Sequence, residues 1–244
     1  MENNYYNARP AGYASAAEAQ QAMSLQGYVA KVMRGVYGKM FLGLLVTAVV
    51  SFFTASSEAL VSLIFGSKVM FFGLIIAEFA LVFGISAAIN KLSSSTATLL
   101  FYLYAVVNGL TLSVIFLAYS MNAITLTFAV TSLTFGAMSL FGYVTKSDLS
   151  KVGSILFMGL IGLIIASVVN IFLASSMLDF VISIVGVLIF TGLTAWDTQK
   201  IKAMAAMTDP SQAGKVATLG ALSLYLDFIN LFLYLLRLFG GNRN

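Results

Sequence analysis

The sequence contains no cysteine and no histidine, and only 9% of its 244 residues are charged. Without cysteine there are no disulfides and no thiolate nucleophiles, and the redox compartment leaves no trace in the chain. Without cysteine and histidine together, Cys/His metal sites and Ser-His-Asp catalysis are excluded. Any response to pH near neutrality has to use something other than imidazole. The scarcity of charge is the strongest constraint. A soluble domain carries about 25% charged residues. This chain, with 60% hydrophobic residues, cannot coat a water-facing surface. An all-α integral membrane protein is expected, with the lipid bilayer as its principal partner. The formal net charge of +4 does not point to nucleic acid, because the basic residues are scattered between apolar segments.

Seven apolar stretches follow one another, each near the ~20 residues a bilayer-spanning helix needs. They run roughly over 37–56, 69–89, 97–119, 123–143, 152–174, 180–200 and 216–239. Period-2 alternation is absent, which argues against a barrel. Residues 1–35, opening with a stretch rich in Ala, Gln, Asn and Tyr, read as a mobile cytoplasmic tail, and 36–240 as one seven-helix domain. The tail is not a secretory signal, because no apolar core follows a basic start.

With the N-terminus inside, Arg9, Lys31, Arg34, Lys39, Lys91, Lys146, Lys151, Lys200, Lys202 and Lys215 fall on the inner side. Lys68, Arg237 and Arg243 fall outside. This positive-inside bias predicts a cytoplasmic N-terminus and, after seven spans, an external C-terminus. Pairs of small residues at helix-packing spacing, Gly73 with Ala77, Ala80 with Gly84 and Gly162 with Ala166, mark expected close approaches.

Only Glu78, Asp197 and Asp227 are acidic within the apolar segments. A charge at bilayer depth costs ~2.5–3.5 kcal/mol on insertion scales, so each is a functional candidate, with a structural ion pair or an interhelical hydrogen bond as the alternative. The segment Pro210–Gly214 reads as a hairpin turn centred on Gln212. Asp197 and Asp227 stand fifteen residues to either side of it. Equal distance from the turn of an antiparallel hairpin means equal depth, at most ~22 Å from the turn at 1.5 Å per residue. Ser223, Asp227, Asn230, Tyr234 and Arg237 step by four, three, four and three, a polar stripe on one face of the last helix. Such a stripe has to face protein or water, so the last helix is expected to be well surrounded.

Two facing carboxylates in a low dielectric share a proton and titrate as a unit. When deprotonated they offer hard oxygens to a divalent cation. Calcium prefers six to eight oxygens, so Asp197, Asp227, Asn230 and a few carbonyls imply weak binding, suited to passage. No resident cofactor is expected; calcium would be cargo. Glu78 either lines the same cavity or is held by a neighbour. Interhelical hydrogen bonding is expected of Asn108 and Asn170.

The segments "WDTQKIK" and "ALSLYLDFINLFLYLLRLFG" closely resemble the bacterial branch of the Bax inhibitor-1 family, also called the transmembrane Bax inhibitor motif family. The resemblance extends over about Val36 to Gly240 and suggests a bacterial cytoplasmic membrane. It implies six helices wrapped around a central seventh, and a pH-sensitive calcium leak gated by an aspartate dyad, here Asp197 and Asp227. It also implies a basic latch at the inner end of the second helix. The residue here is Lys91, a point charge where the family pattern has an arginine-rich cluster. The acidic residue of the second helix corresponds to Glu78.

Rival readings are a proton-coupled cation exchanger, which would use the same residues, and a stress or cell-death regulator acting by binding partners the sequence does not identify. An intramembrane aspartyl protease also pairs two aspartates. Its second aspartate sits in a Gly-x-Gly-Asp context, whereas Asp227 follows Leu-Tyr-Leu. A retinal-type protein would need a lysine deep in the last span, and none follows Lys215. The expectation is a protein that is not an enzyme.

Overall fold

A computed structural model describes residues 16–240, in which nine α-helices follow one another. They are α1 (Ala16–Ala55), α2 (Glu58–Phe65), α3 (Lys68–Ala88), α4 (Ser94–Leu112), α5 (Val114–Ala118), α6 (Met121–Val144), α7 (Ser150–Leu173), α8 (Ser176–Met207) and α9 (Ala213–Phe239). Seven segments are long and apolar enough to cross a bilayer, with α4 and α5 together forming one of them. Each expected span has its counterpart. The break between the first two contains a short helix, α2, which the sequence reading left as a connection.

The first helix starts earlier than expected. Its membrane-competent segment begins at Met23, and Val29, Val32 and Met33 are buried in the core. Residues 16–35, assigned to the tail, are therefore helix, and the domain boundary at 36 moves toward the N-terminus. The reason is that α1, about 60 Å long at 1.5 Å per residue, outreaches the ~30 Å hydrocarbon layer. Its first turns carry polar residues that hydropathy discounts. Residues 1–15, with Arg9, and Arg243 lie outside the described residues.

Burial is inverted relative to a water-soluble protein. Phe72, Ile76, Phe83, Ile165 and Phe172 are exposed, while Thr47, Ser51, Thr127, Thr131, Thr194, Thr198 and Thr218 are buried. In water this apolar surface would be an aggregation liability. Against acyl chains it is the favourable solution, and these hydroxyls, Thr127 excepted, turn inward to bond, as Thr47 does to Ala105 O at 2.8 Å and Ser51 to Gly109 O at 2.8 Å.

The last helix is the core. Buried side chains point from every face of α9, among them Leu224, Tyr225, Phe228, Leu231 and Leu236. A helix with buried side chains on all its faces, the polar stripe included, belongs inside. It packs against α1, α4, α6 and α8, and more lightly against α3, while α7 packs chiefly on α8. The expected central seventh helix is thus present, with the fifth span forming an outer layer behind the sixth. Tyr225 anchors the centre, its ring edge-on to Phe101 at 5.7 Å and to Tyr104 at 5.6 Å.

The small-residue pairs expected at helix contacts are not where helices meet closest. A Cβ added to Gly73, Gly84 or Gly162 would meet open space. These residues lie on α3 and α7, the outermost helices, which have few neighbours to approach. The tight contacts are instead at Gly153, where a Cβ would overlap the Trp196 ring, and at Gly186, where it would lie 2.6 Å from the Tyr234 ring.

At the lysine-rich end of the bundle, the ammonium of Lys39 donates to Thr98 Oγ1 at 2.6 Å, Thr218 Oγ1 at 2.7 Å and Gly214 O at 3.3 Å. All three of its protons are used, so α1, α4 and α9 are tied together by a cation facing neutral oxygens.

Candidate functional site: a carboxylate cleft between α8 and α9

The hairpin that positions the site forms as its sequence dictates. Asp209 accepts a hydrogen bond from Ser211 N at 2.8 Å and caps the single 3-10 turn Pro210–Gln212. From this turn α8 and α9 run back antiparallel, and this pair makes the most extensive contact in the molecule. The matched spacing about Gln212 brings Asp197 and Asp227 to the same level. Both are buried, with 9% and 4% of their surface exposed, and they are close enough to feel each other's charge.

The two carboxylates open on one cavity of about 460 Å³. Ser223, Asn230 and Tyr234 line it with them, so four of the five stripe residues share one chamber. Ser223 stands beside Asp197. Asn230 spends its amide N–H on Leu226 O at 2.8 Å, which leaves its carbonyl oxygen uncommitted on that side. Tyr234 stacks on Phe190 at 5.8 Å, pressed against the backbone at Gly186. The fifth stripe residue, Arg237, lies outside the chamber, 3.5 Å from Asp179 and with its guanidinium 5.6 Å over the Tyr234 ring. Phe79 of α3 and Phe157, Leu160 and Ile164 of α7 supply the apolar walls.

The hydrogen bonding of the pair is incomplete. Asp227 Oδ2 is buried with no hydrogen-bond partner. Asp197 has a single cation within 4.0 Å among the described residues, Lys200, one turn along the same helix at 4.0 Å. A buried acceptor left unmatched is costly, and one supplied with a proton or a metal ion is not. The described residues contain no cluster of three or more acidic ligands. A cation here would therefore hold on to water or backbone oxygens, consistent with loose binding.

The remaining expected residues go elsewhere. Lys91 is exposed in the turn after α3, and among the described residues it forms no ion pair with Asp197; the cation beside that aspartate is Lys200. Glu78 does not line the cleft. It accepts a hydrogen bond from Thr111 on α4, next to Asn108. Asn108 accepts from Tyr225 Oη at 3.0 Å, and Tyr225 meets Thr47 Oγ1 at 2.5 Å. Interhelical bonding is thus the observed role of Asn108. Asn170 caps the end of α7 by accepting from Ser175 N at 3.1 Å, beside Ala174 in the left-handed region. Sequence reasoning missed Lys200 and Trp196 as neighbours of the dyad. The signal was present, since Lys200 follows Asp197 at a helical spacing of three.

Seven spans, the C-terminal one central, with a paired-carboxylate chamber at the last hairpin, define a compact polytopic membrane protein built around an intramembrane ionisable site. The chain belongs to the Bax inhibitor-1 family: the family profile described as "Inhibitor of apoptosis-promoting Bax1" matches residues 29–244. It is 51% identical to the inner membrane protein YbhL of Escherichia coli K12 over 227 residues, 92% of this chain and 95% of that protein. It is 50% identical to an uncharacterised protein of Borreliella burgdorferi, covering 88% and 93% of the two chains. A Rickettsia prowazekii relative, RP147, is 46% identical, covering 88% and 91%.

Proposed function

We propose that the protein is a pH-sensitive calcium leak channel of the bacterial inner membrane, gated by the carboxylates of Asp197 and Asp227. The observation that carries this reading is the chamber lined by both Asp197 and Asp227, with one oxygen of Asp227 buried and without a hydrogen-bond partner. One proton between the two carboxylates satisfies that oxygen and leaves little charge to attract a cation. Loss of the proton leaves two negative groups in a low-dielectric chamber, which a divalent cation neutralises. Proton occupancy thereby decides whether the chamber is a barrier or a stepping place. Membership of the family supports calcium as the cargo, and the printed name of the E. coli relative supports the inner membrane. The lysine-rich end, with the α8–α9 turn, faces the cytoplasm by the positive-inside rule.

The test is calcium flux into dye-loaded proteoliposomes across about pH 5 to 8, for the native chain and for D197N and D227N, each checked for folding. A pH-dependent flux that both substitutions flatten is the expected result. An opposing proton gradient that drives calcium uphill would convert the leak into an exchanger on the same residues. Absence of flux from well-folded native protein at every pH rejects the channel and leaves partner binding as the better account.

A further inference from the structure

Lys200 belongs to the dyad's surroundings but to neither the expected latch nor the polar stripe. Its ammonium stands 4.0 Å from Asp197 Oδ1, too far for a hydrogen bond, and its side chain is 53% exposed where that of Asp197 is 12% exposed. It lies 4.7 Å above the Trp196 ring and lines the same cavity as both aspartates. The indole that carries it is fixed from behind. Trp196 packs on α7 at Gly153, where even one added carbon would overlap the ring. The chain of contacts therefore runs from the α7 backbone to the indole, from the indole to the ammonium, and from the ammonium to the edge of the buried carboxylate.

A lysine committed to a structural ion pair would sit within hydrogen-bond distance. This one is held by an aromatic face at a distance where its charge is felt but its protons are not spent. It is also covalently tied to the helix of the aspartate, so it cannot diffuse away. We propose that Lys200 acts as a tethered surrogate cation: it partly neutralises Asp197 when the chamber is empty and competes with an entering divalent cation for that carboxylate. The proposal rests on the reading of Asp197 and Asp227 as a cation-passing pair. It makes Lys200 a residue that sets how tightly the site holds its cargo. A displaceable lysine keeps binding weak, and weak binding favours release on the far side.

The experiment is direct Mn²⁺ binding to the purified full-length protein in detergent, followed by the loss of the free-ion paramagnetic signal, with Ca²⁺ as competitor. Removing one positive charge about 4–5 Å from a bound divalent ion, near water, strengthens binding about tenfold. K200Q is expected to bind Mn²⁺ about tenfold more tightly than native, K200E more tightly still, and K200R about as native. G153A, which pushes the indole and its ammonium aside, should fall between native and K200Q. Thermal unfolding of each variant separates a folding defect from a change in the site. Native binding that D197N removes but K200Q leaves unchanged overturns the role of Lys200 and spares the dyad. Mn²⁺ binding to neither native nor K200Q protein overturns both. An affinity gain shared by K200R would also reject the proposal, because that variant keeps the charge.

Discussion

The molecule holds its buried acids in two ways. At Glu78 the carboxylate is supplied with donors: Thr111 donates to it and Asn108 lies alongside, itself linked through Tyr225 to Thr47 on α1. At Asp197 and Asp227, acceptors outnumber donors. One oxygen has no partner, and the neighbouring cation is a half-exposed lysine beyond hydrogen-bond distance. Both places sit against α9, and both would be costly to maintain in hydrocarbon. A carboxylate surrounded by donors is finished and holds helices together. A carboxylate pair short of donors is open to exchangeable protons and cations. The chemistry of the surroundings, more than the presence of an acid, separates structure from function here.

The comparison is broken or sharpened by substitutions that treat the two places alike. The largest effect is expected from D227N, which gives the unmatched oxygen a neutral neighbour and removes half of the shared proton's home. The pH dependence of calcium flux should disappear while the protein stays folded. E78Q should show the reverse. Its amide keeps one oxygen for Thr111 but replaces the other with N–H donors set against Asn108, lowering stability by about 1–3 kcal/mol in a reversible detergent-unfolding titration, with the pH midpoint of flux unmoved. A shifted midpoint would mean that the two places are coupled. Y225F comes next. It keeps the fully buried ring and its edge-on contacts but leaves Thr47 and Asn108 without their shared hydroxyl, for about 1–2 kcal/mol.

The smallest effect is local, at the hairpin turn. The Ser211 hydroxyl, and after it the Ser211 N–H bond, hold the exposed Asp209 carboxyl below the usual carboxylate range. A carboxyl whose pKa is lowered on folding contributes stability above its unfolded value of about 3.9. That contribution fades as pH falls through the lowered value. The protection of the Ser211 amide, its exchange measured relative to the unstructured rate at the same pH, should therefore fall below about pH 4 in the native protein, and D209A should show the lower protection already at neutral pH.

Much of this arrangement is legible in the sequence, because it follows from local rules. Hydropathy alone finds the spans. The equal spacing of Asp197 and Asp227 about Gln212 finds the dyad, since a helical hairpin converts residue count into depth. The period of the α9 stripe finds the chamber. What was not legible depends on which helices end up as neighbours. The helical spacing of three marks Lys200 as a neighbour of Asp197 in sequence, but that Lys91 stays exposed in the turn after α3 and makes no ion pair with Asp197 is decided by packing. For Glu78 the sequence leaves open whether it lines the cavity or is held by a neighbour; the third span breaks between Leu112 and Val114, where Thr111 and Ser113 bond back to their own helix. Thr111 there meets the acid from α3. Gly73 and Gly162 have the spacing of packing motifs and face no helix, whereas Gly153 and Gly186 have no such signature and receive the rings of Trp196 and Tyr234.

The central position of α9 has a consequence for biosynthesis. A ribosome makes the chain in the N- to C-terminal direction, so the helix that fills the middle emerges after the spans packed around it. Until it does, Asn108 and Thr47 wait without Tyr225 and Asp197 waits without its twin. The earlier spans that pack on α9 leave a central groove unfilled. Completion of the protein is then a single late insertion, and a chain stopped short of Ala213 would be recognisable to membrane surveillance by the polar groups that α9 alone covers.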